Sequence, residues 1–369
     1  MKKGHLLIGL LVLQVLVTVL VGSSIAYGLE HDKAPTGFSV WGKDLSGVTE
    51  SQAWAEIEAV IPTEVLYNGS KFPLETSRSR QSLTNWLHEQ YVPASGLAAP
   101  FRFLAGRLSL EPPQILLKDE IMPQLESLKT KINREPRAAS IVYQGSKLVK
   151  KGGQTGIELN LEESWSHLLD SNGGSAPLAV TEIPVHPDNT EVDKIQNILG
   201  DYTTYFNIND KGRTNNVRLA AAALDGQLIA PGEVFSFNGT VGERTAASGY
   251  LPAYIFSANE VIRADGGGVC QDSTTLYQAA RQANLAIEER HPHSLPVYYV
   301  PKGNDATVAY GTLDFRFRND TSGYLLLSAR TGANWLRIRI FGAADAKHLA
   351  LARPEGYPIQ PKDWVNDPK

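Results

Sequence analysis

Gly266-Gly267-Gly268-Val269-Cys270-Gln271-Asp272-Ser273-Thr274-Thr275-Leu276-Tyr277 contains the only cysteine of a 369-residue chain. Three glycines deliver that thiol to the first turn of an expected helix. At a helix start the unpaired backbone N–H groups and the macrodipole favour a thiolate, and the same N–H groups can stabilise an oxyanion. The helix continues with Leu276, Ala279, Ala280 and Ala283 on one face, a small-residue stripe suited to close packing on a sheet. Asn284 is its expected left-handed stop.

The sheet follows in the sequence. Val297 to Val300 reads as a short strand, and Leu313-Asp314-Phe315-Arg316-Phe317-Arg318 alternates strictly, with Leu313, Phe315 and Phe317 turned inward. Tyr324 to Ser328 and Leu336 to Ile340 continue an antiparallel meander. Upstream, Val217 to Leu224 reads as a helix with an alanine-rich face, and Pro231 to Asn238 as a turn and short strand. A cysteine-bearing helix packed on an antiparallel sheet is the economical α+β architecture.

The first half has another texture. Gly37 to Val48 alternates as a strand, and Thr49-Glu50-Ser51-Gln52 forms a capping box opening a helix with Ala53, Ile57 and Val60 on one face. Gly156 to Asn160 leads into a second capped helix carrying Leu161, Trp165 and Leu168. Two such units define a compact α+β module over 35-190, in which Trp41, Trp54 and Trp86 are core or rim aromatics or line a polymer groove. The later domain is expected over 195-345, and residues 346-369 form a polar, proline-rich tail.

Residues 1-28 read as an export segment. Lys2 and Lys3 precede a predominantly apolar run from Leu6 to Val21 that continues weakly to Tyr27. Its length suits a retained single-pass membrane anchor, giving a cell-membrane protein with its bulk outside. The alternative is secretion after cleavage near Ser24-Ile25-Ala26. The composition is that of a globular protein, with 42% hydrophobic and 20% charged residues. A formal net charge of -4, without a Lys/Arg run or a nucleic-acid module, argues against nucleic acid as a partner.

An unpaired thiol in an exported protein needs a reason to be there. Cys270 is either a small buried hydrophobe or a nucleophile. In the second reading His293, within Glu289-Arg290-His291-Pro292-His293-Ser294, is the general base. Asp314 orients the imidazole, with Asp305 the alternative. The backbone N–H of Cys270 with the Gln271 side chain forms the oxyanion site. Gly267 and Gly268 approach the substrate, and Arg244 and Arg316, together with Arg290 and Arg318, are candidate carboxylate clamps. A zinc site from Cys270, His291 and His293 lacks a specific ligand spacing, so no metal and no cofactor is expected.

Tyr202 to Asn319 resembles the VanW family of extracytoplasmic bacterial proteins. The matching runs are Pro231 to Asn238, Val241 to Thr245, Gly249-Tyr250, Gly266 to Tyr277, His293-Ser294, Asp305 to Val308 and Asp314 to Asn319. Gly42-Lys43-Asp44-Leu45-Ser46-Gly47, with Thr49 and Ala53, resembles the peptidoglycan-binding-like domain that often precedes VanW. The family's association with glycopeptide-resistance loci implies the cell wall, and peptidoglycan or its precursors as partner. The order of Cys270, His293 and an aspartate is also similar to transglutaminase-like cysteine enzymes. Together these imply a Cys-His hydrolase or acyltransferase acting on peptidoglycan stem peptides. The alternative is a non-catalytic module that recognises a stem-peptide carboxylate.

Overall fold

The computed structural model describes residues 14–15, 17–18, 33–34, 37–91, 112–257 and 260–349. The chain divides into two compact units, one of residues 1–135 with 156–183, the other of 136–155 with 184–369. Most of the expected membrane segment and most of the tail lie outside the described residues. Among the described residues no helix is long and apolar enough to cross a membrane.

The first unit opens with a tight hairpin of β1 (Ser39–Val40) and β2 (Lys43–Asp44), not one continuous strand. Trp41 at φ 47° and Gly42 at φ 79° reverse the chain between them. The capping box at Thr49 then starts α1 (Glu50–Glu58), buried through Ala53 and Ile57. β3 (Pro62–Tyr67) and β4 (Ser70–Pro73) form a second hairpin, followed by α2 (Ser77–Tyr91) and α3 (Lys118–Ile132). β5 (Ser140–Gln144) and β6 (Lys147–Lys151) belong to the second unit. The chain returns to the first with β7 (Gly156–Leu159), α4 (Leu161–Asp170), β8 (Gly174–Pro177) and β9 (Val180–Ile183). Asn160 caps α4 by accepting from the Glu163 N–H. β8 adds parallel to β3, and Leu83, Leu125, Leu168 and Val65 close one apolar core.

The second unit continues through α5 (Asn189–Asp193) and β10 (Asn197–Tyr205) to α6 (Lys211–Leu224). β11 (Leu228–Ile229), β12 (Val234–Ser236), α7 (Phe237–Val241), β13 (Pro252–Ser257) and β14 (Glu260–Asp265) precede α8 (Cys270–Gln282). β15 (Ala286–Glu289), β16 (Arg316–Arg318), β17 (Leu325–Thr331) and β18 (Trp335–Gly342) complete it. The main sheet has the order β10-β18-β17-β11, antiparallel throughout.

Period-two alternation divides its faces. Leu325, Leu327, Ala329, Leu336, Ile338 and Ile340 meet α6 and α8 in the larger core. Leu326 and Phe341 face the other way, against Ile141 of β5 and Val192 and Ile195. The alanine face of α8 permits unusually close contact: a Cβ on Gly200 of β10 would stand 2.1 Å from the Ala279 carbonyl oxygen. Asn284, at φ 55°, stops α8. A smaller sheet, β12-β16-β15, buries Phe235 against Phe317, their ring centroids 5.1 Å apart.

One expected strand is absent. Val297 to Val300 forms bends between Pro296 and Pro301, whose rings remove backbone donors, and buries Val297, Tyr299 and Val300 as a small cluster. The alternating run at Leu313 pairs as strand only from Arg316, although Phe315 and Phe317 are fully buried.

Candidate active site

The triple-glycine turn is built by packing as much as by conformation. Gly266 and Gly268 take φ of 80° and 104°, where side chains are disfavoured. A Cβ on Gly267 would meet the Ala253 carbonyl at 2.6 Å. The stems of Arg244 and Arg213 lie against Gly266 and Gly268. Asn216 is a fully buried staple. Its side-chain amide donates to the carbonyls of Gly267 (3.0 Å) and Leu251 (2.7 Å) and its oxygen accepts from the Leu251 N–H.

This turn sets Cys270, half-buried, as the first residue of α8. Sγ lies 3.5 Å from Thr307 Oγ1 and 3.5 Å from the Val308 carbonyl. Helix α8 also fixes the segment it faces. Ser273 and Thr274 hydroxyls both donate to the Ala306 carbonyl, at 2.6 and 3.2 Å, and the Ala306 N–H donates back to Thr274. The Ser-Thr pair therefore bridges the helix and the irregular segment that carries Asp305 and Ala306. Thr275 does back-bond, to the Gln271 carbonyl, and also meets Thr204 at 2.8 Å.

That bridge brings Asp305 beneath His293. Oδ2 of Asp305 accepts from the His293 backbone N–H at 2.6 Å and from Nδ1 at 2.7 Å. With Nδ1 so engaged, Nε2 is the ring nitrogen left for the thiol, and the Cys270 and His293 side chains hydrogen bond. Arg290 holds the aspartate: Nε donates to the Asp305 carbonyl at 2.7 Å, and Nη2 lies 3.6 Å from Oδ1. Its guanidinium stacks over Tyr277, 5.3 Å from the ring centroid.

The electrostatics follow from these contacts. Burial pushes the Cys270 thiol up, but the hydrogen bond and charge of His293, with hydrogen bonds from the Val308 backbone and Thr307, bring it down to about 7. Burial disfavours the His293 cation, yet Cys270 and Asp305 hold its pKa above the ordinary histidine value. Burial likewise opposes ionised Asp305, and the His293 bonds outweigh it, keeping that carboxyl below its usual range. Each group stabilises the charged form of the next.

Asp314, first expected on the imidazole, is engaged elsewhere. It accepts from the backbone N–H groups of Asn238 and Phe315, at 2.9 and 2.8 Å, and from the Ser236 hydroxyl, tying α7 to β16. Gln271 is also displaced from its expected role. It is fully buried, donating to Thr204 Oγ1 and the Tyr205 carbonyl and accepting from Arg213 at 2.9 Å, so its amide serves the core. The backbone N–H of Cys270 has no backbone partner among the described residues, while its neighbours Gln271 and Asp272 donate to Gly268 and Val269.

Of the arginines, Arg244 lies within electrostatic reach of Cys270 and is oriented by Asn238, which accepts from Nη2 at 2.7 Å. Arg316 is exposed on β16, where its charge acts on Glu289, and Arg318 pairs with Glu288. His291 bonds Glu289 at 3.0 Å. Asp272 lies within electrostatic reach of the thiol and carried no expectation of a role; an acidic residue two positions after the cysteine was the available signal.

In the first unit a groove of about 320 Å³ opens beside the β1–β2 hairpin, lined by Trp41, Leu45, Ile57, Ile115, Leu169 and Asn172 among others. Trp41 is 42% exposed, whereas Trp54 and Trp86 pack against the core.

The second unit is thus an α+β domain in which a helix-borne cysteine, a histidine and an aspartate form one hydrogen-bonded chain. Residues 212–341 match the family described as VanW like protein, and residues 118–178 the one described as "Putative peptidoglycan binding domain". The uncharacterized protein YoaR of Bacillus subtilis is 34% identical over 227 residues, 59% of this chain and 73% of that protein. The vancomycin B-type resistance protein VanW of Enterococcus faecalis is 33% identical over 129 residues, 33% of this chain and 47% of its own. The chain belongs to the VanW family. No solved structure matches it.

Proposed function

We propose that this is an extracytoplasmic cell-wall protein whose VanW domain is a cysteine-dependent amide hydrolase or acyltransferase acting on peptidoglycan stem peptides. The observation that carries this reading is the Cys270–His293–Asp305 chain, with its thiol brought to about 7. Family membership and the match to a peptidoglycan-binding description support the wall as the setting. The apolar run at residues 6–27 supports a membrane tether, with secretion the alternative.

In this mechanism the Cys270 thiolate attacks the carbonyl carbon of an amide, and the Cys270 backbone N–H receives the developing oxyanion. A C–S bond forms, the C–N bond breaks, and the departing amine takes its proton from the His293 imidazolium. Water or an acceptor amine then attacks the thioester. His293 removes a proton from that nucleophile, and the thiolate is released. Asp305 keeps the ring oriented and stabilises its cation throughout. The groove beside Trp41 would hold wall polymer, stacking sugar or apolar stem-peptide surface on the indole.

The test is incubation of the full-length chain, in mild detergent, with soluble muropeptides, followed by mass spectrometry of products and protein. Amine release with a transient acyl adduct on Cys270, both abolished by Cys270→Ala, is expected. Turnover retained by a folded Cys270→Ala variant would remove the mechanism. Muropeptide binding without turnover, equal in wild type and Cys270→Ala, would favour the non-catalytic carboxylate-binding module.

A further inference from the structure

Beside the thiol lies a group of buried polar atoms that the protein does not satisfy. Asp272, in the first turn of α8, is fully buried. Neither of its carboxyl oxygens has a hydrogen-bond partner among the described residues, nor do Nε of Arg213 and Nη1 of Arg244. Asp272 is within electrostatic reach of both arginines and of Cys270. Buried polar groups in folded proteins are nearly always paired, so a cluster of unpaired ones needs an explanation.

Both guanidiniums are held so that only part of each is used. Arg213 donates through Nη2 to Gln271 and stacks over Tyr298, 5.5 Å from its centroid. Arg244 donates through Nη2 to Asn238 and stacks over Phe237 at 5.5 Å. Each is braced on one side and carries an unmatched N–H on another. The opposed charges restrict what fits. A lone carboxylate would meet Asp272, and a lone ammonium or metal cation would meet two guanidiniums. A group with an anionic and a cationic end satisfies all three side chains.

We infer that this cluster binds the ammonium-and-carboxylate head of an amino acid, the ammonium on Asp272 and the carboxylate on Arg244 and Arg213. Resting on the acyl-transfer reading above, it makes the second participant at Cys270 an amino acid, either expelled from the stem peptide or accepted onto it. Burial pushes the Asp272 carboxyl well above its usual range in the free protein, and an entering ammonium supplies the charge that keeps it ionised. Binding of the head group and ionisation of Asp272 are therefore linked.

Calorimetric titration of the full-length chain in mild detergent with D-alanine, propionate and ethylamine tests this. D-alanine is expected to bind at least about tenfold more tightly than either half-ligand, a gap of about 1.4 kcal/mol. Asp272→Asn should remove that advantage while propionate binding persists, and Arg244→Gln should weaken both. Propionate binding as tightly as D-alanine, or no D-alanine binding to wild type, overturns the inference, and the cluster then holds only water. The wild-type comparison decides even if a variant fails to fold. Cys270 alkylation on the same sample separates the two readings. D-alanine binding beside an inert thiol removes acyl transfer and keeps the site; a reactive thiol without D-alanine binding does the reverse.

Discussion

His293 and Asp305 are joined twice by one carboxylate oxygen: Oδ2 accepts from the histidine backbone N–H at 2.6 Å and from its ring Nδ1 at 2.7 Å. A single aspartate thus fixes both the loop that carries the imidazole and the orientation of the ring. The loop has flanking proline at position 292 and no strand of its own, so this double contact substitutes for secondary structure.

Replacing the two aspartates should therefore give different phenotypes. Asp305→Asn is expected to slow Cys270 alkylation at pH 7 by about tenfold or more, as lost ring orientation and cation stabilisation raise the thiol pKa. Asp314→Asn should leave the thiol reactive and instead destabilise the second unit by about 1–2 kcal/mol through weakened acceptance from the Asn238 and Phe315 N–H groups. Alkylation rates and denaturant melts on both variants check this. A slow thiol in Asp314→Asn with normal kinetics in Asp305→Asn would reverse the assignment.

The pH profile follows from the signs of the two shifts. The Cys270 pKa is lowered to about 7, so alkylation should rise with pH through that value, below the free thiol at about 8.5. Stabilisation from the depressed thiol is present above its unfolded value and lost as pH falls through about 7. The His293 pKa is raised, so its contribution is full below the ordinary histidine value and lost as pH rises through the folded one. His293→Ala should move the alkylation midpoint upward by at least a unit. An unchanged midpoint would mean the histidine does not govern the thiol.

Arg290 is a positioning residue, since it grips Asp305 through the backbone carbonyl and one carboxylate oxygen. Arg290→Ala should shift the alkylation profile in the same direction as Asp305→Asn but less, and Arg290→Lys should recover part of the loss. A merely structural role would lower melting temperature without moving the profile.

Close helix–sheet contact makes Gly200 intolerant of a side chain. Gly200→Ala would place Cβ 2.1 Å from the Ala279 carbonyl and should cost about 1–3 kcal/mol or prevent folding. Gly323→Ala, whose Cβ would meet only the Ala343 methyl at 3.8 Å, is the matched control and should melt like wild type. Equal melting of both variants would show that β10 and α8 separate without cost.

Much of the second unit was legible because its signals are local. The Leu276, Ala279, Ala280 and Ala283 stripe, the left-handed stop at Asn284 and the alternation through β17 and β18 each arise within a few residues. The caps at Thr49 and Asn160 were equally readable. The hairpin at Trp41 was not, since a tryptophan at positive φ violates its own preference and is imposed by the surrounding fold. Val297 to Val300 misled because a short apolar run carries the same composition whether it pairs as strand or fills a core beneath prolines.

Sequence by itself determined that this chain is an α+β protein of the VanW family with one thiol at a glycine-delivered helix start, because periodicity, capping and motif order are properties of neighbouring residues. Tertiary structure alone decided which aspartate meets His293, that Gln271 faces the core and that Asp272, without a hydrogen-bond partner among the described residues, lies within electrostatic reach of two arginines. Those relationships join residues up to 67 positions apart, through contacts such as Gln271 with Thr204, the Ser273–Thr274 bridge to Ala306 and the packing around Gly267. Such contacts depend on how loops close in space, and spacing along the chain does not encode that distance.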